Sequence, residues 1–188
     1  MNAYAAVAID EDRITFDEVY QRNSTFVVCS VRRLGVAAAA VDDVVQQVFL
    51  VVHRRLHEFC HHSSIRTWLF GIVLRVVRNH RRSVRRKNLH GAWIGADPET
   101  LVDDVELGPD ESMARTEARR LLRDVLGELD EVKREVFLLA EFEQMTARQI
   151  AETIGANKST VYSRLRLARV EFEKAAERCR RRDAWRLR

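Results

Sequence analysis

The side chains with the most evident chemistry lie between residues 145 and 169, in the stretch MTARQIAETIGANKSTVYSRLRLAR. Hydroxyl and cationic groups recur there at intervals that place many of them on one side of a helix. Guanidinium and hydroxyl groups hydrogen-bond to base edges in the major groove of DNA and to phosphate oxygens. The stretch therefore predicts contact with duplex DNA. The candidate residues are Arg148, Lys158, Ser159, Thr160, Ser163, Arg164 and Arg166.

The residues between these polar groups predict the elements that position them. Thr146 and Gln149 fit a capping box, in which each side chain bonds the other's backbone amide, so a helix is expected to begin there. Gly155 follows about two turns later and suits a left-handed turn. Asn157 or Ser159 can then cap a second, longer helix. This is the helix-turn-helix pattern; a helical hairpin with a solvated basic face is the simpler alternative. The side chains expected to face inward are Ile150, Ala151, Ile154, Val161, Leu165 and either Ala168 or Val170.

A second cluster could bind a metal ion. It consists of His53, His57, Cys60, His61 and His62. The first two histidines are four residues apart, a spacing that can hold zinc on one face of a helix. No glutamate follows the first histidine, as the zinc-peptidase motif would require, so metal-dependent hydrolysis is not favoured. We expect no metal here and interpret these residues as surface and loop side chains.

Composition indicates an all-α protein. Of the 188 residues, 46% are hydrophobic, enough for a core, whereas two prolines and seven glycines are too few for a β fold with many turns. No apolar run is long enough to span a bilayer. The amino terminus lacks the basic segment of a secretory signal, and three scattered cysteines do not form a disulfide framework. We therefore expect a cytoplasmic protein.

Charge and periodicity divide the chain into three parts. Residues 1–87 hold 14 basic and 8 acidic side chains, and their apolar residues recur at helical spacing, which predicts a small bundle. Residues 88–113 hold seven acids, no lysine or arginine and both prolines, which predicts a flexible linker. Residues 114–188 return to helical spacing with 18 basic and 13 acidic side chains. We expect two small helical domains joined by an acidic linker.

Three stretches of the chain together resemble one family. AVDDVVQQVFLVVHRRL and FCHHSSIRTWLFGIVLRVVRNHRR resemble the second conserved region of bacterial sigma factors of the extracytoplasmic-function (ECF) class. LDEVKREVFLLAEFEQMTARQIAETIGANKSTVYSRLRLAR resembles the fourth region of the same family. The stretches occur in the family's order and cover both expected domains, so the chain is identified as a member of this class.

The resemblance implies a role for each part. Residues 1–87 would bind core RNA polymerase and capture the melted −10 element of a promoter, and residues 114–188 would read the −35 element. The linker would follow the RNA exit path, unless it is an ordinary tether. No active site is implied, and an anti-sigma protein is a possible partner. The polymerase-facing candidates are Asp42, Asp43, Gln46, Gln47 and Phe49, and the single-strand candidates are Arg66, Trp68, Arg75, Arg78, Asn79 and Arg82.

Some features leave other interpretations open. The paired aspartates can simply complement a helix amino terminus, Trp68 can be a core residue, and the run from Arg81 to Lys87 can be a solvated face. Gln144 stands where the family usually has a turn glycine, so the joint before Met145 can differ. The alternative function is a helix-turn-helix regulator that acts without polymerase.

Overall fold

The computed structural model describes residues 14–89 and 113–186, and these ranges contain helices and no strand. The all-α prediction is confirmed. In chain order the helices are α1 (Phe16–Arg33), α2 (Val41–Arg55), α3 (Ile65–Leu89), α4 (Met113–Glu128), α5 (Glu131–Glu141), α6 (Ala147–Ile154) and α7 (Lys158–Arg186).

Helices α1, α2 and α3 pack against one another as the amino-terminal bundle. Thr15 caps α1 through a capping box with Glu18, which fixes where the first helix begins. A short 3-10 turn at Ala38–Ala40 leads into α2. An apolar stripe of α2 faces inward: Val44, Val48 and Val52 are fully buried, and Phe49 is 6% exposed. Burial of this stripe is the main force that holds α2 between its neighbours.

Helices α4 to α7 form the carboxy-terminal group, in which α7 contacts each of the other three. Asp130 caps α5 by accepting a hydrogen bond from the Lys133 amide at 2.8 Å. Phe137 of α5 stacks on Phe172 of α7 with ring centroids 4.6 Å apart. The long α7 is therefore the spine of this group.

The two groups share one continuous apolar core, although each group packs mainly within itself. Helix α3 continues to Leu89, two residues past the predicted end of the first domain. Most of the predicted linker lies outside the described residues. Within ranges 14–89 and 113–186, no helix combines the length and apolar character needed to cross a bilayer.

Candidate nucleic-acid interface

Helices α6 and α7 form the helix-turn-helix that the sequence predicts. Thr146 and Gln149 make the reciprocal capping box, and α6 ends after eight residues. Gly155 follows with φ 68° and ψ 41°, the left-handed conformation that glycine adopts without a Cβ penalty. Asn157, rather than Ser159, caps α7 by accepting a 2.7 Å hydrogen bond from the Thr160 amide. Local interactions therefore define both ends of the turn between the two helices.

The inner face of this motif is packed tightly. Ile150, Val161 and Ala168 are fully buried, and Ala151 is 7% exposed. The methyl group of Ala151 allows the two helices to approach closely. Val170 is 41% exposed, so Ala168 is the residue that fills the second inward position of α7.

The outer face of the motif carries the predicted DNA-contacting residues. Lys158, Ser163 and Arg166 are exposed, and Arg164 is half-buried. Within the part of the chain that the structure describes, these residues have no acidic partner. Their side chains are consequently available to an external anion.

Two other candidates on this face are already engaged. The Arg148 side chain pairs with Glu152 at 3.0 Å in an exposed contact, which is weak enough to be exchanged for a phosphate. The Ser159 hydroxyl donates to the Asn157 side chain at 2.8 Å and so supports the cap of α7.

Tyr162 is a surface residue that sequence reasoning missed. Its side chain lies on α7 and is 63% exposed, between the buried Val161 and the exposed Ser163. An aromatic ring on a recognition helix can contact a thymine methyl group or a phosphate. Its spacing in the sequence could have identified it, because it stands three residues after Ser159 and four before Arg166 and so lies on the same face of the helix as both.

Helix α3 presents two basic faces, about a quarter turn apart. Arg75, Asn79 and Arg82 are exposed, and the two arginines have no acidic partner in the described ranges. We call these three residues the open face of α3. The open face has the charge and exposure needed to receive an anionic strand.

The second basic face of α3 lies against α5. Its residues, Arg78, Arg81 and Arg85, form ion pairs with Glu131 and Glu135. We call these three arginines the covered face of α3. Arg78 was expected to contact DNA from the sequence, whereas here its guanidinium meets the Glu135 carboxylate at 2.5 Å. No sequence pattern pointed to these pairs, because their members are 46 to 57 residues apart.

The remaining single-strand candidates pack against aromatic rings. The Arg66 guanidinium lies 5.1 Å from the centroid of the Phe26 ring, while its side chain stays exposed. Trp68 is half-buried, packs on the core and lies 5.4 Å from the Phe59 ring. This packing is compatible with the core interpretation, although the side chain is not fully buried.

Helices α1 and α2 together line an apolar groove. Asp42, Asp43, Gln46 and Gln47 are exposed, whereas Phe49 is only 6% exposed. The rings of Phe49, Tyr20 and Phe16 form one cluster, in which the Phe49 centroid lies 4.7 Å from that of Tyr20 and 6.4 Å from that of Phe16. Polar groups therefore lie on the helix surface around a buried aromatic floor.

The rim of this groove holds two large apolar side chains that the sequence did not single out. Tyr20 is 48% exposed and Leu50 is 52% exposed, and both line the groove. Exposed apolar surface next to a cavity is typical of protein docking sites. These two apolar side chains therefore extend the candidate polymerase-facing surface beyond the polar residues of α2.

The histidine and cysteine cluster does not assemble into a metal site among the described residues. The His53 ring packs edge-on against Phe16, with centroids 5.1 Å apart. The His61 ring lies 4.6 Å from that of Phe59. The Cys60 thiol is exposed and lies 3.2 Å from the Glu58 carbonyl oxygen.

Two conserved-domain families match the chain. Residues 19–87 match the model for sigma-70 region 2, and residues 119–172 match the model for sigma-70 region 4. The first match spans α2 and almost all of α1 and α3. The second covers the helix-turn-helix and the helices on which it packs. These matches fall on the two helical groups of the fold.

Several characterised proteins are similar over most of their length. The RNA polymerase sigma factor NccH of Alcaligenes xylosoxydans is 34% identical over 172 residues, which cover 90% of this chain and 91% of that protein. The sigma factor CnrH of Cupriavidus metallidurans is 30% identical over 171 residues, covering 89% and 90%. The ECF sigma factor RpoE of Cereibacter sphaeroides is 28% identical over 168 residues, covering 87% of each chain.

Solved structures of similar proteins include complexes. CnrH bound to the cytosolic domain of CnrY aligns with a TM-score of 0.57 and 25% identity, over 86% of this chain and 87% of that one. RpoE of Bartonella quintana, bound to the anti-sigma factor NepR, aligns with a TM-score of 0.68 over 86% and 96% of the two chains. At 16% identity the second likeness concerns the fold alone. Taken with the matches of both regions, these relatives show that the chain belongs to the extracytoplasmic-function family of bacterial RNA polymerase sigma factors.

Proposed function

We propose that the protein binds core RNA polymerase in the cytoplasm, directs it to promoters and helps it to melt them. Sigma factors are initiation factors without an active site, so this chain supplies recognition while the polymerase supplies the chemistry. The observation that carries the proposal is the outer face of α7, where Lys158, Arg164 and Arg166 have no acidic partner among the described residues. A capped α6 and the left-handed Gly155 precede this face. A helix presented in this way fits the major groove of duplex DNA.

The −35 element is assigned to this motif. Arg164 and Arg166 are suited to base or phosphate contacts, and Lys158 lies in the first turn of α7. Ser159, Thr160, Ser163 and Arg148 complete the surface, to which the structure adds Tyr162. The region from 114 to 188 would thus act as the duplex-reading domain.

The −10 element is assigned to α3. Single-strand capture requires a positive groove beside surfaces that accept bases. Arg75 and Arg82 provide this charge on the open face, where Asn79 adds a neutral amide, and Arg66 extends the charge at the start of the helix. Arg78 joins them only when its pairing with Glu135 is broken. Trp68 would support the helix from the core rather than stack on a base.

The polymerase surface is assigned to α2 and its groove. Asp42, Gln46 and Phe49 line the groove and combine polar and apolar contacts, and Asp43 and Gln47 add exposed polar groups on the same helix. An anti-sigma protein is a further expected partner, because the similar CnrH and RpoE were solved with CnrY and the anti-sigma factor NepR.

Reconstituted transcription tests the proposal. Promoters would first be obtained by sequencing the DNA that the protein binds in cells. Purified protein with core polymerase should then initiate from such a promoter, and core alone should not. A protein that binds duplex DNA but neither binds nor directs core polymerase would instead be the polymerase-independent regulator.

Arg164→Ala tests the duplex-reading surface. We expect a loss of about 1–3 kcal/mol in binding free energy at the matched −35 sequence if the side chain reads a base. Binding should be measured on matched and mismatched duplexes. An equal loss on both would assign Arg164 to phosphate. Arg178→Ala is the matched control on the same helix, because that arginine pairs with Glu128 of α4 and should leave DNA affinity unchanged.

Asp43→Ala tests the polymerase surface. The side chain is exposed in the first turn of α2, so its loss should weaken binding to core polymerase with little effect on the fold. Affinity would be measured by titration of labelled core. Glu173→Ala, an exposed charge on α7, is the control for net charge. Unchanged affinity of the Asp43 variant would remove this residue from the interface.

A further inference from the structure

Leu167 is an apolar side chain on the surface of the motif that was assigned to duplex DNA. It is 42% exposed on α7, whereas Leu165, two residues earlier, packs against the core. Helical residues three and four apart are neighbours, so Leu167 lies beside Arg164 and Ser163. A large hydrocarbon side chain therefore stands next to two of the groups proposed to contact a base or a phosphate.

The fold does not require a leucine at this position. The inner side of α7 is formed by residues such as Val161, Ala168 and Ala175, which are fully buried. A helix advances by about 100° per residue, which places Leu167 about 100° from Ala168 and only about 40° from the exposed Ser163. Alanine has a higher helix propensity than leucine, so helix formation does not explain the side chain either. Leu167 is thus an outward-facing residue whose size is available to a partner.

The chemistry of Leu167 limits what it can contact in a major groove. Leucine has neither a donor nor an acceptor, so its side chain cannot hydrogen-bond a phosphate or the polar edge of a base. Of the groups that the four standard bases display in the major groove, the C5-methyl group of thymine is the apolar one. A leucine pressed into the groove therefore gains contact with a thymine, whereas beside another base it covers polar groups without satisfying them.

The charged groups around Leu167 indicate that its partner is DNA. Lys158, Arg164 and Arg166 lie on the same part of α7, and none has an acidic partner among the described residues. Such cations bind phosphates whatever the base sequence, so they supply affinity and position the helix. Specificity requires side chains that contact base edges, and Leu167 is placed among these cations to do so.

We propose that Leu167 is a specificity-determining residue of the −35 contact, where it selects a thymine by packing on the C5-methyl group. This role rests on the assignment of α7 to duplex DNA. The neighbouring cations bring α7 to the groove, and Leu167 then favours a base pair that places a thymine methyl group against it. The −35 element of this protein accordingly contains a thymine at that position, in one strand or the other.

Deoxyuridine in place of thymidine tests the contact, because it removes the methyl group and keeps the base pair. A −35 duplex from a promoter found by sequencing would carry this change at one thymine at a time, in each strand. The Kd of the full-length protein would be measured for each duplex at one salt concentration. At one position the change should weaken binding about fourfold, the effect of no longer burying one methyl group. Equal binding at every position, or a bound −35 sequence without thymine, would overturn the proposal.

Substitutions at Leu167 show whether this side chain is the one that contacts the methyl group. L167A should bind the thymine duplex about fourfold more weakly than the parent and should bind the deoxyuridine duplex within about twofold of the thymine duplex. L167M stays apolar and should keep the preference for thymine. If L167A kept the parent's full preference, another residue would contact the methyl group and the proposal would be wrong.

V132A is the matched control for these substitutions. Val132 is an apolar side chain of α5 with 44% exposure, close to that of Leu167. The V132A variant should bind the thymine duplex like the parent and keep the preference for thymine. Loss of that preference in V132A as well as in L167A would overturn the proposal, because the effect would then not depend on the side chain at position 167.

Binding to core polymerase separates this role from the proposed function. L167A should bind core as tightly as the parent; weaker binding to core with an unchanged preference for thymine would assign Leu167 to the polymerase and refute its role in the groove. A parent protein that binds its −35 duplex selectively but is insensitive to deoxyuridine would refute the role of Leu167 and leave the assignment of α7 in place. A parent that binds no duplex selectively, alone or with core, would refute both.

Discussion

Replacement of Gly155 by alanine is expected to destabilise the protein through its backbone alone. The residue has φ 68°, and a Cβ built there meets no atom within 4 Å. No steric clash with the rest of the molecule can therefore contribute. A residue with a Cβ pays roughly 1–2 kcal/mol in the left-handed region, partly offset by about 0.4–1 kcal/mol from the stiffer unfolded chain. We expect the free energy of unfolding to fall by about 1 kcal/mol.

Gly127 provides a control with the opposite sign. It lies in α4, and a Cβ there also meets no atom within 4 Å, but its backbone is helical. Alanine is preferred over glycine inside a helix by up to about 1 kcal/mol, and by less near the end, where this residue lies. Gly127→Ala should therefore leave the protein as stable as the parent or slightly more stable.

Urea unfolding followed by circular dichroism measures both variants. A loss of about 1 kcal/mol corresponds to a fall in Tm of roughly 2–4 °C for a chain of this size. Gly155→Asn should be intermediate, because asparagine tolerates the left-handed conformation better than alanine. If Gly155→Ala and Gly127→Ala shifted the free energy of unfolding in the same direction, the left-handed turn between α6 and α7 would be refuted.

Three further substitutions probe other local features. Gln144 has φ 53°, so the free energy of unfolding of Gln144→Gly should exceed that of Gln144→Ala by about 1–2 kcal/mol, with a higher Tm. Both variants lose the same side-chain hydrogen bond, so equal Tm values would show that the backbone at this position is not strained. Burial raises the pKa of Glu143, so the folded protein favours the protonated carboxyl. The stability that this side chain contributes is therefore present below its ordinary pKa of about 4.3 and is lost as pH rises through the raised pKa. Glu143→Gln should consequently stabilise the protein at pH 7, by an amount that shrinks towards pH 4; a gain that is independent of pH in urea titrations would refute this. Asn157→Ala removes the cap of the Thr160 amide and should cost about 1 kcal/mol of unfolding free energy, whereas Ser159→Ala should cost clearly less in the same assay.

Much of the local structure was predictable because its causes lie within a few residues. The Thr146 capping box depends on side chains that reach backbone amides three positions away, and the Gly155 turn depends on a residue without a Cβ. The buried stripe of α2 follows from helical periodicity alone. These features determined the fold class and the helix-turn-helix.

The joint at Gln144 shows the limit of motif comparison. The absence of the usual glycine suggested that this turn can differ, yet Gln144 adopts the left-handed conformation itself. Its side chain donates to the Glu141 carbonyl at 2.8 Å, which helps to hold the turn. A missing glycine therefore did not remove the turn, because the flanking helices fix its ends.

The order of residues alone shows which side chains of α3 and α7 carry charge, and which family the pattern resembles. Which of those charges are available to a partner depends on how the helices pack. Arg75 and Arg78 are three positions apart in sequence, but Arg75 is exposed with no acidic partner among the described residues, while Arg78 meets a carboxylate 57 residues away. Pairing at that range depends on how two groups of helices pack together, and no local pattern of side chains encodes it.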